Sequence, residues 1–577
     1  LMFINSLNKG KIMGIVKKRR YQMESMDEPL EVIIRGTDVL NEPLLNKGTA
    51  FSEDERKELG LQGLVPPKVV DIEEQVVRVL ENYQRKTDPL EKFIFLTSLH
   101  DRNETLYYKV LTENLMEMTP IVYTPVVGAA CQQFGHIYRK NRGMYISAKD
   151  KGQIRDIFNN WNQDEIDIIV ISDGSRILGL GDLGANGMGI PIGKLALYVA
   201  GGGVYPCKTL PILLDTGTNN EELLADPLYL GLNQHRIDDD EYYEIVDEFV
   251  KAVQSRWPKA LIQWEDFTND HAFPILNKYR EEVLCFNDDI QGTGAVALSG
   301  LLGGMRMKKE KLSDQRIIFY GAGSAAVGIA DMIVAGIVEE SGMSEAEARK
   351  LFWLIDSQGL VVKNGPRPLQ DHKVPYARDE DLIDNLMDVI KAVKPTILVG
   401  VSGQGQTFTE PIVKEMMKFS KQPIIFALSN PTTKSECTAQ QAYKWTKGKA
   451  IFASGSPFDP VRMRGKIYVP GQGNNMFIFP GVGLGASLCQ AKKVTDAMFY
   501  MAAKTLADMV TEEELSLRTV YPDLRKIRKI SLTIATAVCE MAFDEGLARV
   551  ERPKNVKAWV KENMFVPVYP RYVAASE

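Results

Sequence analysis

Hydrophobic and polar positions change rhythm along this chain. From about Ser52 to Met118 apolar residues recur at helical spacing among many charges, as in Phe93-Ile94-Phe95-Leu96 and Leu106-Tyr107-Tyr108-Lys109-Val110-Leu111; this predicts a helical N-terminal domain. From about Ile166 the pattern becomes short β-branched runs that end in an acid: Ile168-Ile169-Val170-Ile171-Ser172-Asp173, Leu210-Pro211-Ile212-Leu213-Leu214-Asp215, Ala260-Leu261-Ile262-Gln263-Trp264-Glu265-Asp266 and Val283-Leu284-Cys285-Phe286-Asn287-Asp288-Asp289. Helical stretches such as Gly193 to Ala200 and Glu241 to Arg256 separate them. Strand, helix, strand in repetition predicts a parallel sheet with crossover helices. A second set of such units starts at Arg316-Ile317-Ile318-Phe319-Tyr320. Its further strands are expected at Leu351 to Ile355, Thr396 to Val399, Pro423 to Ala427 and Ala450 to Ala453. An Asn-rich turn after Gly471, helices from about Leu484 and a polar tail with Pro553, Pro567 and Pro570 close the chain.

The acids at the strand ends carry the first chemical signal. Ligands in open α/β sheets collect at the carboxyl ends of strands. Clustered carboxylates repel one another, and a hard divalent cation such as Mg²⁺ or Mn²⁺ relieves that repulsion. One pair alone would read as helix caps; the two pairs Glu265-Asp266 and Asp288-Asp289, at matching strand ends, favour a metal site.

A length of 577 residues exceeds one hydrophobic core and implies several domains. With 69 basic and 75 acidic residues the formal charge is -6, which leaves no global footprint for nucleic acid. The six cysteines show no CxxC spacing and the five histidines no HxxxH pair, so buried thiols in a reducing compartment are expected rather than disulfides or zinc. No run of about 18 uninterrupted apolar residues occurs, so no membrane span is expected. Between Met2 and Met23 the chain carries Lys9, Lys11, Lys17, Lys18, Arg19 and Arg20 and no acid. That charge, though not its serine content, resembles a mitochondrial transit segment, which favours the mitochondrial matrix over the cytoplasm; a basic leader without that role is the alternative. Leu1 is not expected to be a natural start.

Two glycine motifs compete for a dinucleotide. The literal GxGxxG at Gly179-Leu180-Gly181-Asp182-Leu183-Gly184 runs on into further glycines and lacks an acid-tipped second strand, so it is expected to approach a different ligand. Gly321-Ala322-Gly323-Ser324-Ala325-Ala326-Val327-Gly328 has a strand before it, a helix after it and Asp356 at the tip of the next strand. Gly321, Gly323, Ser324, Ala325 and Ala326 are therefore the candidate pyrophosphate loop. Asp356 points to NAD, whereas Ser357 and Lys373 could serve the 2′-phosphate of NADP. The expected fold class is α/β: a helical N-terminal domain (1–141), a parallel-sheet substrate domain (142–287, completed by 475–547), a doubly wound Rossmann-type dinucleotide domain (288–474) and a C-terminal tail (548–577).

Six separated motifs, in order, resemble the malic enzyme family: Ile121-Val122-Tyr123-Thr124-Pro125; Asp173 through Gly184; Gln263-Trp264-Glu265-Asp266-Phe267; Phe286 through Thr293; Ala427-Leu428-Ser429-Asn430-Pro431-Thr432; and Pro470-Gly471-Gln472-Gly473-Asn474-Asn475. The resemblance covers nearly the whole chain. It implies oxidative decarboxylation of (S)-malate to pyruvate and carbon dioxide with NADP or NAD and a divalent metal. Position by position it implies Glu265, Asp266 and Asp289 as metal ligands, with Asp288 supporting them. It further implies Lys194 as general base, Tyr123 as general acid and Arg176 as the grip on a malate carboxylate. Asn430 and Asn475 match substrate-contacting amides, with Asn430 also beside the cofactor; either could instead be a turn asparagine. A lysine acts as a base only where burial or neighbouring cations lower its pKa, and Arg176 is expected to help. The serine after the acidic tip and Lys373 resemble NADP-using relatives, while Asp238-Asp239-Asp240-Glu241-Tyr242-Tyr243 and Val401-Ser402-Gly403 resemble NAD-using ones; NADP is favoured. A homodimer or homotetramer is implied.

Three other readings share parts of this pattern. A malolactic-type lyase would release lactate while keeping its cofactor. A simple 2-hydroxy-acid dehydrogenase would need no metal cluster. A non-catalytic nucleotide-sensing module would have no use for Tyr123, Lys194 and four carboxylates together.

Overall fold

The computed structural model describes residues 29–365 and 368–575. The basic leader expected between Met2 and Met23 lies outside them. In the N-terminal region successive helices Ile72–Gln84, Pro89–Arg102, Glu104–Glu113, Leu115–Val122 and Val126–Gln132 follow one another. Local sequence sets their starts: Asp71 and Glu74 form a reciprocal capping box, and Asp88 caps a helix whose first residue is Pro89. In Ile72–Gln84 the residues Ile72, Val76, Val79 and Tyr83 form one buried stripe. This helical run ends at Tyr123, the buried residue that caps Leu115–Val122.

A short strand, β1 (Leu30–Val32), precedes the helices. The first large sheet has five parallel strands, β2 (Met144–Ser147), β3 (Ile168–Ser172), β4 (Thr209–Asp215), β5 (Leu261–Trp264) and β6 (Cys285–Asn287), in the order β2-β4-β3-β5-β6. Every residue of β3, β5 and β6 is buried, which explains their near-continuous apolar runs. Strands β3, β5 and β6 are neighbours that all run the same way. Their carboxyl ends therefore bring Asp173, Glu265-Asp266 and Asp288-Asp289 to one edge.

The second sheet contains β7 (Ile317–Tyr320), β8 (Phe352–Asp356), β9 (Gly359–Leu360), β10 (Ile397–Gly400), β11 (Ile424–Ala427), β12 (Ile451–Ser454) and, beyond a small antiparallel hairpin of β13 (Val461–Met463) and β14 (Lys466–Tyr468), β15 (Gly471–Gln472). Its order is β15-β12-β11-β10-β7-β8-β9, parallel except for β8–β9. The order reverses between β7 and β10, which makes a crevice at their carboxyl ends. The helix Thr293–Lys308, buried from Gly294 to Met305, leads from the first sheet to the second.

Three local expectations change. The helix expected from Leu484 starts at Phe479, with Pro480 in its first turn; its glycines hid the helical period. The segment 548–577 is more than a polar tail: it holds the helix Val556–Glu562 and β16 (Tyr572–Ala574), which pairs in parallel with β1 and buries Tyr572. Strand β2 and the β13–β14 hairpin were not anticipated, being short and only partly apolar. All six cysteines are buried and unbridged. Among the described residues no helix is long and apolar enough to cross a membrane.

Candidate active site

The turn that follows β5 places two acids in succession. Asp266 adopts a left-handed backbone, φ 56°, a conformation that aspartate tolerates better than most residues. Its amide donates to Asp289 Oδ2 at 2.8 Å, and its own Oδ2 accepts from the Leu178 amide at 3.3 Å. Leu178 is itself left-handed, φ 48°. Two such residues bonded to one another mark a locally strained site. The Asp288–Gly292 segment after β6 is a single π-turn, a wider coil that recurs at functional sites.

Glu265, Asp266 and Asp289 each offer a carboxylate oxygen, all within 4.8 Å of one another. Glu265 and Asp266 are buried. Burial pushes the pKa of all three above the usual carboxylate range; neighbouring carboxylates add to the rise, and Lys194 opposes it. Three crowded oxygens with frustrated ionisation fit a hard divalent cation. Asp288 is not part of this trio. It is fully buried, its Oδ2 pairs with Lys194 and accepts from Asn475 Nδ2 at 3.0 Å, and its Oδ1 has no partner.

Lys194 extends from the buried helix Gly189–Leu197 and is itself 1 % exposed. Its Nζ lies 2.9 Å from Glu265 Oε1 and also pairs with Asp288. The ring centroids of Phe479 and Tyr123 are 4.5 and 5.4 Å away. Burial alone would pull the lysine pKa down, but Asp288 and Glu265 outweigh it and hold the ammonium well above its ordinary range. The cationic help expected from Arg176 is therefore not the dominant influence here. Arg176 is exposed, and its Nη1 donates to Asn269 Oδ1 at 2.6 Å. Tyr123 packs against the backbone of Gly193, next to Lys194. Burial pushes its phenol well above the ordinary value, with Lys194 pulling the other way.

Behind these groups lies a layer the sequence reading did not single out. Tyr198 donates to Gln263 Oε1 at 2.5 Å, and Gln263 Nε2 donates to Glu265 Oε2 at 2.8 Å. A glutamine inside the apolar run of β5 was the available signal. On the β3 side, Asp173 accepts from the Ser175 amide at 2.9 Å and from Tyr242 at 2.8 Å, fixing the turn that carries Arg176.

Across the crevice stands the second half of the site. Gly321 and Gly323 lie between β7 and the helix Ser324–Ser341, so Ala325 and Ala326 fall in the first helical turn. This 18-residue helix has no side-chain cap. Its first amides are thus available to an anion. Asp356 ends β8 and pairs with Lys373 Nζ at 2.7 Å; Ser357 beside it is exposed. Asn430 follows β11, and its Oδ1 accepts from Ser456 Oγ at 2.6 Å. Asn475 donates to Thr293 Oγ1 at 2.9 Å as well as to Asp288. Gly179, in the literal GxGxxG, faces the Asn430 carbonyl and the Pro431 ring. That motif therefore lines the opening between the two halves, with no strand-turn-helix of its own.

Comparison with known proteins shows the family and the fold. Residues 100–280 match the family model "Malic enzyme, N-terminal domain", and residues 290–543 match "Malic enzyme, NAD binding domain". The sequence is 52% identical to an NADP-dependent malic enzyme of Dictyostelium discoideum over 535 residues, covering 92% of this chain and 98% of the relative. It is 48% identical to an NADP-dependent malic enzyme of Homo sapiens over 538 residues, covering 93% and 94%. The fold is similar to that of a crystal structure of the Entamoeba histolytica malic enzyme, at 22% identity and a TM-score of 0.55, covering 87% of this chain and 90% of that one.

Proposed function

This chain belongs to the malic enzyme family, and from that premise we propose that it oxidises (S)-malate with NADP and decarboxylates the product to pyruvate and carbon dioxide, using Mg²⁺ or Mn²⁺. The observation that carries the reading is the convergence of Glu265, Asp266 and Asp289 within 4.8 Å of one another, with Lys194 Nζ 2.9 Å from Glu265. These three carboxylates are the proposed metal ligands, and Asp288 supports them by holding Lys194. When bound, the cation supplies Lewis-acid stabilisation of the negative charge that develops as carbon dioxide leaves.

The chain's own groups do the rest. Lys194 takes the proton of the C2 hydroxyl as C2 gives up its hydride. With Glu265, Asp266 and Asp289 engaged by a cation, Lys194 keeps Asp288 as its principal anion. Because Asp288 and Glu265 are what raise the lysine pKa, a cation on Glu265 would oppose that rise and favour the neutral base. Tyr123, beside Lys194, returns a proton to C3 of the enolate. Arg176, at the mouth, takes a substrate carboxylate in a bidentate grip, and Asn430 and Asn475 contact the substrate from the dinucleotide side. Gly321, Gly323, Ser324, Ala325 and Ala326 receive the pyrophosphate, with Asn430 near the nicotinamide half.

NADP is preferred over NAD in this proposal because Lys373 already neutralises Asp356 at 2.7 Å. A compensated acid next to Ser357 tolerates a 2′-phosphate that a bare aspartate would repel. We keep the division 1–141, 142–287 with 475–547, 288–474 and 548–577, a homodimer or homotetramer, and a mitochondrial address favoured over a cytoplasmic one by the basic residues between Met2 and Met23. Product analysis tests the reaction: pyruvate with matching NADPH supports it, whereas lactate without NADPH would assign a malolactic-type lyase.

A further inference from the structure

Glu436 is a buried acid that the proposed chemistry does not use. It follows the short turn Thr432–Lys434 and has no exposed surface. Its partners come from two different strand ends. Oε1 accepts from the Ser402 amide at 3.2 Å, just beyond β10, and from the Ser429 hydroxyl, just beyond β11. The Ser402 hydroxyl lies 3.4 Å from Oε1, and the Ser429 amide donates to Oε2 at 3.4 Å. Ser429 Oγ in turn accepts from the Gly403 amide at 2.9 Å. Burial holds the Glu436 carboxyl above the ordinary carboxylate range, and these bonds oppose the rise without cancelling it.

Neighbouring backbone is shaped to admit this side chain. A Cβ on Gly400, the last residue of β10, would stand 2.6 Å from Glu436 Cγ and 2.7 Å from its Oε2, so only glycine lets the carboxylate lie against the strand end. The dinucleotide turn rests on the same loop. Gly321 has φ 118°, and a Cβ there would stand 2.7 Å from the Val401 carbonyl oxygen and 3.0 Å from the Ser402 amide. Asn430 is the residue after Ser429. One carboxylate thus braces the loops leaving β10 and β11, on either side of which lie the Gly321 turn and Asn430.

We propose that Glu436 is a positioning residue for the dinucleotide: through Ser402 and Ser429 it fixes these two loops in the geometry that receives the cofactor, without touching the cofactor itself. The inference rests on the reading that the dinucleotide occupies the crevice at Gly321. Without the carboxylate the amides of Ser402 and Ser429 would lose their acceptor at the floor of that crevice. Glutamine replaces it only in part, because its single oxygen can keep the Ser402 amide and the Ser429 hydroxyl while its NH₂ then faces the Ser429 amide.

The test uses the full chain and three readouts: NADPH binding by fluorescence titration, KM for NADP against KM for malate, and thermal unfolding. Glu436→Gln is expected to raise the NADPH Kd and the NADP KM about 10-fold, while the malate KM stays within about twofold. Ser429→Ala, which removes the hydroxyl that links Glu436 to the Gly403 amide, is expected to shift the same two constants by a smaller factor. If Glu436→Gln fails to unfold cooperatively, the selective shift in Ser429→Ala decides the matter. Wild-type binding with both variants unchanged overturns this inference alone, as does an equal rise in the malate and NADP constants. A wild-type protein that binds no NADPH overturns the dinucleotide reading and this inference with it.

Discussion

Lys194 Nζ stands 2.9 Å from Glu265 Oε1 while also pairing with Asp288, so one buried ammonium bridges a carboxylate of the metal-competent trio and one outside it. Removing that ammonium leaves both acids without this cation and, on the proposed mechanism, the substrate hydroxyl without its base. Lys194→Ala is expected to lower kcat for malate oxidation by about 10²–10⁴-fold, the usual contribution of a positioned acid or base. Stopped-assay kinetics with saturating Mn²⁺ measure it, and full turnover in this variant would sink the assignment of the base.

The carboxylate trio makes a thermodynamic prediction independent of turnover. A ligand that binds only the folded state stabilises it, by about 2.7 kcal/mol at a hundredfold excess over its Kd. Mn²⁺ is expected to raise the thermal midpoint of the wild-type protein, and a chelator to reverse the rise. Asp289→Ala removes one of three oxygens held within 4.8 Å, and its midpoint should scarcely respond. An equal rise in both proteins would place the ion elsewhere.

In the proposed reading, cofactor choice turns on Lys373. At 2.7 Å it pairs with Asp356, the acid that on this reading lies beside the ribose 2′-position. Replacing it with glutamine removes the charge that serves a phosphate and should raise the KM for NADP at least about 10-fold, an ordinary loss for a charge-assisted bond, with little change for NAD. Parallel increases for both cofactors would remove Lys373 from the specificity determinants.

His271 predicts a pH dependence of stability. The ring stacks on Tyr242 with centroids 4.0 Å apart, and its Nε2 lies 3.1 Å from Asp239 Oδ1, its Nδ1 3.9 Å from Asp173 Oδ2. Burial lowers its pKa, but Asp173 and Asp239 together raise it above the ordinary value. A histidine raised by folding stabilises the fold fully below its unfolded pKa, about 6.5, and loses that contribution as pH climbs through the folded value. The midpoint difference between wild type and His271→Gln should therefore be largest in acid and shrink in alkali; a difference that grows with pH would contradict the ion-pair account.

Much of this site was legible because parallel strands buried on both faces write themselves as apolar runs, and an acid directly after such a run must sit at a carboxyl end. The pairs Glu265-Asp266 and Asp288-Asp289 were placed at strand ends in that way, and Gly321 was picked out by the strand and helix around it. The roles of Lys194 and Tyr123 came only from family resemblance, since a lysine in Ile192-Gly193-Lys194 has no local mark of burial. Glu436 was invisible for a related reason: its partners lie beyond two other strands, and a glutamate after a turn resembles any surface acid. The β1–β16 pair eluded sequence reading because it joins three-residue segments from opposite ends of the described chain.

The proposed reaction is a metal-assisted oxidation coupled to decarboxylation. The most direct measurement is the stoichiometry of NADPH, pyruvate and carbon dioxide from (S)-malate, with Mn²⁺ present and after its removal by a chelator. The account predicts equal amounts of all three products with the metal and none without it. NADPH formation unaccompanied by carbon dioxide, or full turnover after the metal is removed, would contradict it.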